Sequence, residues 1–135
     1  MNKINKLKKF FKFYKLDGYI IPKNDEFFSE YISENNDKLK YMSSFSGSYG
    51  FALVLKEENY LFVDGRYTLQ AKIQSGKIFK VVTLPNELPS NILNSKKLCI
   101  GFDPKLHTEF MLSHFFNKTN CKLIPLNENL VNKIW

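Results

Sequence analysis

The first fifteen residues combine lysines and apolar side chains in the pattern of an amphipathic helix. The apolar positions lie three or four residues apart, at Ile4, Leu7, Phe10, Phe11 and Tyr14, with lysines between them. This spacing places the apolar side chains on one face of a helix. The pattern predicts a helix over residues 3–15 that buries one side, and Asp17-Gly18 is a typical signal for its end.

The rest of the chain consists of short apolar runs separated by polar turns. Runs typical of buried strands occupy residues 19–21, 51–55, 60–63, 78–84, 98–102 and 122–125. Helical spacing and capping residues predict short helices at 24–31, 37–45, 66–74, 87–93 and 108–116, and a turn at 128–134. The turn at 56–59 is short enough to join its flanking strands as an antiparallel hairpin. These elements predict an α/β domain with a mixed β-sheet flanked by helices.

Length and composition indicate a single domain. A chain of 135 residues with 44% hydrophobic side chains can bury one core. No run approaches the ~20 apolar residues of a membrane span, and lysines interrupt the segment where a signal peptide would be apolar. We expect one domain over residues 1–135, located in the cytoplasm. Docking of helix 3–15 on a membrane surface stays open, although packing on the sheet explains its apolar side more simply.

The net charge of +7 leaves open a stand-alone basic module that binds a polyanion such as nucleic acid. However, 19 of the 20 basic residues are lysines, and Arg66 is the exception. Recognition of phosphates and bases usually draws on the planar guanidinium of arginine. The lysines occur with many Asn, Ile and Phe residues, a mixture expected of an AT-rich coding sequence. We therefore interpret the charge as compositional and expect no nucleic-acid partner.

Cysteines and histidines give little sign of a metal site. Cys99 and Cys121 each lie in a short apolar run, which predicts reduced thiols buried in strands. His107 and His114 are seven residues apart on the expected helix and could share a face. Because no Cys, Asp or Glu lies at a supporting spacing, a zinc site is not expected.

Two catalytic arrangements can be tested against the pattern. Asp25, Asp64 and Asp103 follow predicted strands, where a set of carboxylates could hold two magnesium ions for phosphodiester chemistry. Each of them is also explained as a helix cap or turn residue. Ser46, Ser48 and His107 could supply a nucleophile and a base, but the Gly-x-Ser-x-Gly turn is absent. The sequence contains no complete catalytic set, and we assign no catalytic residue.

Arg66 is the residue whose position most suggests a function. It comes directly after Asp64-Gly65, at the end of a predicted strand and the start of a helix. From there its guanidinium could hold a carboxylate with a bidentate geometry that lysine cannot copy. An exposed arginine paired with a neighbouring acid explains the same position equally well.

Several blocks of sequence, taken together, resemble a known family. In order they are Asp17-Gly18-Tyr19-Ile20-Ile21-Pro22, Asp25 with Ser29-Glu30-Tyr31-Ile32, Phe45-Ser46-Gly47-Ser48, Asp64-Gly65-Arg66-Tyr67 with Leu69-Gln70-Ala71, Gly101-Phe102-Asp103-Pro104, and Asn129-Leu130-Val131 with Ile134-Trp135. The ordered set resembles the N-terminal domain of Xaa-Pro aminopeptidases in the creatinase/prolidase group. The chain departs from that pattern at Phe27, Tyr49 and Val63.

This resemblance implies a ribonuclease-H-like mixed sheet at the start of a longer, homodimeric enzyme. In that family a later pita-bread domain holds two divalent metal ions, usually manganese, on two Asp, two Glu and one His. A metal-bound hydroxide there cleaves peptides with proline in the second position. None of those ligands lies in residues 1–135, so the resemblance implies that the chain continues past Trp135 and that this domain is inactive alone.

The resemblance also implies a role for the domain itself. Such domains shape access to the active site and contribute to contacts between subunits. Arg66 is the one residue to which the resemblance gives a substrate-binding role. A creatinase-like hydrolase, acting on a non-peptide substrate, is the alternative within the same group.

Overall fold

Six strands form one sheet in the order β4-β3-β2-β1-β5-β6. The computed structural model describes residues 2–24, 32–33, 36–93, 96–116 and 119–135. The strands are β1 (Gly18–Pro22), β2 (Gly50–Leu55), β3 (Asn59–Asp64), β4 (Lys80–Leu84), β5 (Cys99–Phe102) and β6 (Lys122–Pro125). The α-helices are α1 (Lys3–Tyr14), α2 (Lys38–Ser43), α3 (Thr68–Ser75), α4 (Pro89–Ile92) and α5 (Glu109–Phe116). Short 3₁₀ helices cover Gly65–Tyr67 and Pro104–Leu106.

The direction of β2 is opposite to that of the other strands. It pairs antiparallel with β1 and with β3, whereas β3–β4, β1–β5 and β5–β6 pair in parallel. The expected hairpin and the mixed sheet are therefore confirmed. As a result, β1, β3, β4, β5 and β6 all end at the same edge of the sheet, and β2 begins there. We call this edge, with the residues that follow those strands and the loop 45–49 that precedes β2, the carboxyl edge.

Both faces of the sheet are covered. Side chains alternate along the central strands, so that Leu61 and Val63 of β3 face one core while Tyr60 and Phe62 face the other. The first core contains residues of α1, α2, α3 and the C-terminal turn, and the second contains Phe115 and Phe116 of α5. Burial on both faces explains why these strands are continuous apolar runs in the sequence.

The sequence predicts α1 to within one residue. The Asn2 side chain accepts a hydrogen bond from the Asn5 backbone N–H, which caps the first turn. Lys15 adopts a left-handed conformation and ends the helix, as C-terminal caps commonly do. Ile4, Leu7 and Phe11 are buried against the sheet while the lysine side lies toward solvent. Within the part of the chain that the structure describes, no helix has the length and apolar character needed to span a membrane.

Other boundaries differ from those expected. Arg66 lies in the 3₁₀ turn Gly65–Tyr67, and the α-helix begins only at Thr68. Strand β4 begins at Lys80 instead of residue 78, and α4 is a single turn. The helix expected at 37–45 is α2, whereas most of the one expected at 24–31 lies outside the described residues.

Truncating the fully buried Leu7 should destabilise the domain strongly. Leu7 packs in the core between α1 and the sheet with 0% exposure, so Leu7→Ala removes apolar contacts and leaves a cavity. The free energy of unfolding, measured by urea denaturation, should fall by about 2–5 kcal/mol. The exposed Lys9→Ala variant on the same helix should change it by less than about 0.5 kcal/mol. Equal losses in both variants would contradict the assigned orientation of α1.

Candidate binding site at the carboxyl edge

The loop at 45–49 is tied to α3 by polar side chains. The Ser46 backbone N–H donates to Gln74 Oε1 at 2.9 Å, and the Gln74 and Gln70 side-chain amides donate to Ser46 Oγ at 2.9 and 3.2 Å. The hydroxyls of Ser48 and Tyr67 share a hydrogen bond of 2.6 Å. Two motifs that are far apart in sequence, residues 45–48 and 64–71, thus form one surface.

An aromatic ring fills the space beneath this loop. Phe45 has no exposed surface and packs edge-on against Tyr67, with ring centroids 5.9 Å apart. A Cβ atom at Gly47 would lie only 2.2 Å from Cζ of Phe45, so a side chain there would displace the ring. The glycine therefore allows the loop to cross closely over Phe45.

Asp64 and Arg66 lie side by side where β3 ends. Asp64 Oδ1 accepts hydrogen bonds from the backbone N–H of Arg66 at 2.9 Å and from its Nε at 3.2 Å. The backbone hydrogen bond, followed by the side chain of Arg66, lowers the pKa of Asp64 below its ordinary value. The Arg66 side chain is 72% exposed, so this ion pair adds little stability. Its main effect is to orient a guanidinium that stays accessible to a ligand.

A groove of about 280 Å³ lies beside this pair. Its walls are mostly apolar and come from the loop before β2, the segment after β4 and helix α5: Tyr49, Asp64, Leu84, Pro85, Leu88, Phe110, Met111, His114 and Phe115. Phe110 is 77% exposed and stacks on His114, with ring centroids 6.0 Å apart. An apolar groove lined by Asp64, whose carboxylate is bonded to Arg66, suits a short peptide-like ligand that has apolar side chains and a polar terminus.

A smaller cavity of about 40 Å³ continues from the groove toward the sheet. Ser48, Tyr49 and Met111 are among its lining residues, and so is His107. His107 Nε2 is buried and finds no hydrogen-bond partner among the described residues. Because burial disfavours the charged imidazolium, the pKa of His107 falls from 6.5 to about 4, despite the opposing effect of Asp103. This imidazole is neutral at physiological pH.

Of the strand-end carboxylates, the structure describes Asp64 and Asp103, and these two do not form a metal site together. Asp103 accepts hydrogen bonds from the Lys105 backbone N–H at 3.0 Å and from Asn129 Nδ2 at 2.9 Å, and Asp64 caps the turn that contains Arg66. They end β5 and β3, which are separated by β1 and β2, so they lie roughly 14 Å apart. Asp25 lies outside the described residues. Among the residues described, no three or more His, Cys, Asp and Glu side chains are grouped to hold a metal ion.

Two expectations about histidines and cysteines are wrong. His107 precedes α5 instead of lying on it, where its ring packs edge-on against Phe102, so it shares no helical face with His114. Cys99 and Cys121 are free, as expected, but both are half-buried instead of buried. Cys99 is paired with Lys122, so Cys121, one position earlier, points to the opposite face of the sheet. The two thiols therefore cannot form a disulfide with each other.

The hydroxyls of Ser46 and Ser48, the two serines weighed as nucleophiles, take part in hydrogen bonds that hold the loop. Ser46 Oγ accepts from two glutamines, and Ser48 Oγ is bonded to Tyr67. Ser48 and His107 line the same small cavity, but the structure shows no hydrogen bond between them. Sequence analysis did not identify the groove itself. A signal for the groove is nevertheless present in the sequence. Apolar residues occur on most sides of α5, so Phe110 and Met111 are left outside the core and line the groove.

Comparison with known proteins identifies one family that matches nearly the whole chain. Residues 3–134 match the Creatinase/Prolidase N-terminal domain. Aminopeptidase P1 of Lotus japonicus is 33% identical over 129 residues, which cover 89% of this chain and 19% of the relative. The chain therefore spans about a fifth of the length of that protein.

Solved structures share the fold. The cytosolic X-prolyl aminopeptidase of Caenorhabditis elegans, described as having a di-nuclear active site, superposes with a TM-score of 0.86 at 28% identity. The match covers 98% of this chain and 25% of that one. The N-terminal domain of the cytoplasmic peptidase PepQ from Mycobacterium tuberculosis has the same fold, with a TM-score of 0.76 at 23% identity and 98% of both chains covered.

Acid should destabilise the domain through His107. The unfolded chain binds this proton near pH 6.5 and the folded chain only near pH 4. Lowering the pH through that window therefore lowers the free energy of unfolding, by on the order of 3 kcal/mol, and raising the pH restores it. Unfolding curves of the wild type and His107→Gln between pH 4 and pH 7 should show a shallower pH dependence in the variant. His114→Gln, at an exposed position, is the control and should retain the wild-type slope.

Proposed function

Because this chain belongs to the creatinase/prolidase N-terminal domain family, we propose that it is the non-catalytic N-terminal domain of a metal-dependent Xaa-Pro aminopeptidase. The parent enzyme would remove the N-terminal residue that precedes proline in a peptide. The relatives from Lotus japonicus and Caenorhabditis elegans are aminopeptidases, which favours this activity over a creatinase-like reaction on a non-peptide substrate.

The proposal that catalysis takes place outside this domain rests on the length of the relatives. This chain matches only 19% and 25% of the two aminopeptidases compared above. The described residues offer no grouped metal ligands, so no hydrolytic step is assigned to them. We propose that the parent enzyme holds two divalent metal ions, which are manganese, in the larger portion of its polypeptide. There they would supply the nucleophile for hydrolysis. The parent is further proposed to be a cytoplasmic homodimer.

The role of this domain would be to hold the far end of the peptide. The single observation that supports this most is the accessible guanidinium of Arg66, oriented by Asp64 at the carboxyl edge. A guanidinium in this position can bind a terminal carboxylate or a carbonyl with two hydrogen bonds. The adjacent groove would receive apolar side chains of the same peptide.

Replacing Arg66 should weaken action on peptides with a free C-terminus. In the full-length enzyme, Arg66→Lys should lower kcat/KM for an Xaa-Pro-Xaa tripeptide by roughly tenfold, because one charge-assisted contact of about 1.4 kcal/mol is lost. The measurement is steady-state cleavage in the presence of manganese, with the same tripeptide amidated at its C-terminus for comparison. The amidated peptide should lose less, because it lacks the carboxylate.

Two controls accompany this measurement. Lys77→Arg changes an exposed basic residue that lies outside the groove, and it should leave kcat/KM unchanged. The 135-residue chain alone should show no cleavage. Wild-type kinetics in Arg66→Lys would remove Arg66 from the binding site, and a full-length protein that cleaves no Xaa-Pro peptide would overturn the proposed activity.

A further inference from the structure

Helix α3 exposes two aliphatic side chains on its outer side. Leu69 is 71% exposed and Ile73, four residues later, is 73% exposed. Ile78, just after the helix, is 49% exposed. Residues four apart lie on the same side of a helix, so Leu69 and Ile73 are neighbours on the surface. We call Leu69 and Ile73 the α3 outer face.

Within the part of the chain that the structure describes, Leu69 and Ile73 remain largely exposed. The opposite side of α3 packs on the sheet through Ala71 and Ser75, which are 0% and 7% exposed. A third side holds the loop 45–49 through the hydrogen bonds of Gln70 and Gln74. Leu69 and Ile73 therefore leave adjacent apolar surface in water, a feature that commonly marks a contact with another protein surface.

Basic residues predominate in the segment that contains this face. Residues 65–86 contain no Asp or Glu but four basic residues, Arg66, Lys72, Lys77 and Lys80. Arg66 pairs with Asp64 and Lys80 with Glu58, at 3.2 and 3.5 Å, which leaves Lys72 and Lys77 as exposed positive charges on and just after α3. The α3 outer face thus has an apolar centre and a basic rim.

This charge pattern decides what kind of surface can cover it. A second copy of the chain docked symmetrically through the same face would bring lysines against lysines, between two domains that each carry a net charge of +7. A complementary partner instead has an apolar patch bordered by carboxylates. We propose that the α3 outer face docks onto such an acidic-rimmed apolar surface in the catalytic portion of the same enzyme.

This inference rests on the proposed function, which supplies the neighbouring portion of the polypeptide. It also connects the face to the candidate site, since Arg66 lies one turn before Leu69 in the segment that leads into α3. Docking of α3 would hold Arg66 at the boundary between the two parts of the enzyme. The guanidinium would then face the space in which the peptide is bound.

Hydrogen–deuterium exchange of the full-length protein tests this contact. The double variant Leu69→Gln with Ile73→Gln removes the apolar centre while keeping good helix-forming residues. The amides of residues 68–75 should exchange at least tenfold faster in this variant than in the wild type, while those of α1 keep their rate. Phe13→Gln is the matched control, because Phe13 is 79% exposed but lies on α1. It should leave exchange in α3 unchanged.

A charge variant tests the rim independently. Lys72→Glu with Lys77→Glu should also accelerate exchange at 68–75, because carboxylates would then face carboxylates. If exchange in α3 is the same in the wild type and in both double variants, the contact does not exist. If the Leu69/Ile73 variant instead dissociates a dimer with no change within the monomer, a second copy is the occupant and the proposal is wrong. The exchange measurement does not depend on catalytic activity. An enzyme that cleaves Xaa-Pro peptides but whose α3 amides exchange without protection would therefore overturn only this inference.

Discussion

The candidate site depends on the reversed direction of one strand. Because β2 runs antiparallel to both of its neighbours, it begins at the edge where β1 and β3 end, with Gly50 opposite Val63 and Phe51 opposite Pro22. The loop before β2 is thereby placed beside Asp64. If β2 ran parallel, the same loop would enter from the opposite edge, and Ser48 could not reach Tyr67. One short hairpin thus brings together the loop, the arginine and the groove.

A buried ion pair fixes the approach to that loop. Lys23, directly after β1, lies 2.6 Å from Asp37, with side chains only 12% and 8% exposed. Asp37 also accepts the Lys40 backbone N–H and so caps α2. This pair therefore ties the N-terminal end of α2, the helix that leads into the loop, to the end of a central strand. Removing one partner would leave a buried charge uncompensated, so the pair is a positional constraint even if its net stabilisation is small.

Most of the architecture could be predicted from sequence, because local signals and burial agree. The strands buried on both faces are continuous apolar runs, and α1 combines a capping residue with a regular apolar period. The misplaced boundaries occur where those signals compete. Arg66 follows a helix-like pattern, but the Asp64 side chain holds its backbone N–H and a 3₁₀ turn forms first. His107 was expected on the helix, but it follows the 3₁₀ turn Pro104–Leu106 and precedes α5, which begins at Glu109.

The candidate site was less predictable because it is assembled across long sequence separations. Arg66 could be identified from its local position, and the structure places it at an accessible edge. The groove lies between Asp64 and Phe110 of α5, and the separation of these two residues depends on the packing of α5 on the sheet. No local pattern encodes that packing. The hydrogen bonds of Gln70 and Gln74 to the loop could not be predicted either, because the spacing of these two residues is that of an ordinary exposed side of a helix.

The positions where this chain departs from the pattern of its family are not equivalent. Val63 is fully buried in β3 and faces the core that contains α1, so it cannot change a ligand-facing surface. Tyr49 is 42% exposed and lines both the groove and the smaller cavity. A bulky phenol at this point narrows the groove beside Asp64 and adds a hydroxyl to its lining. A change in what the proposed groove can bind should therefore arise at Tyr49, which lines it, and not in the sheet beneath it.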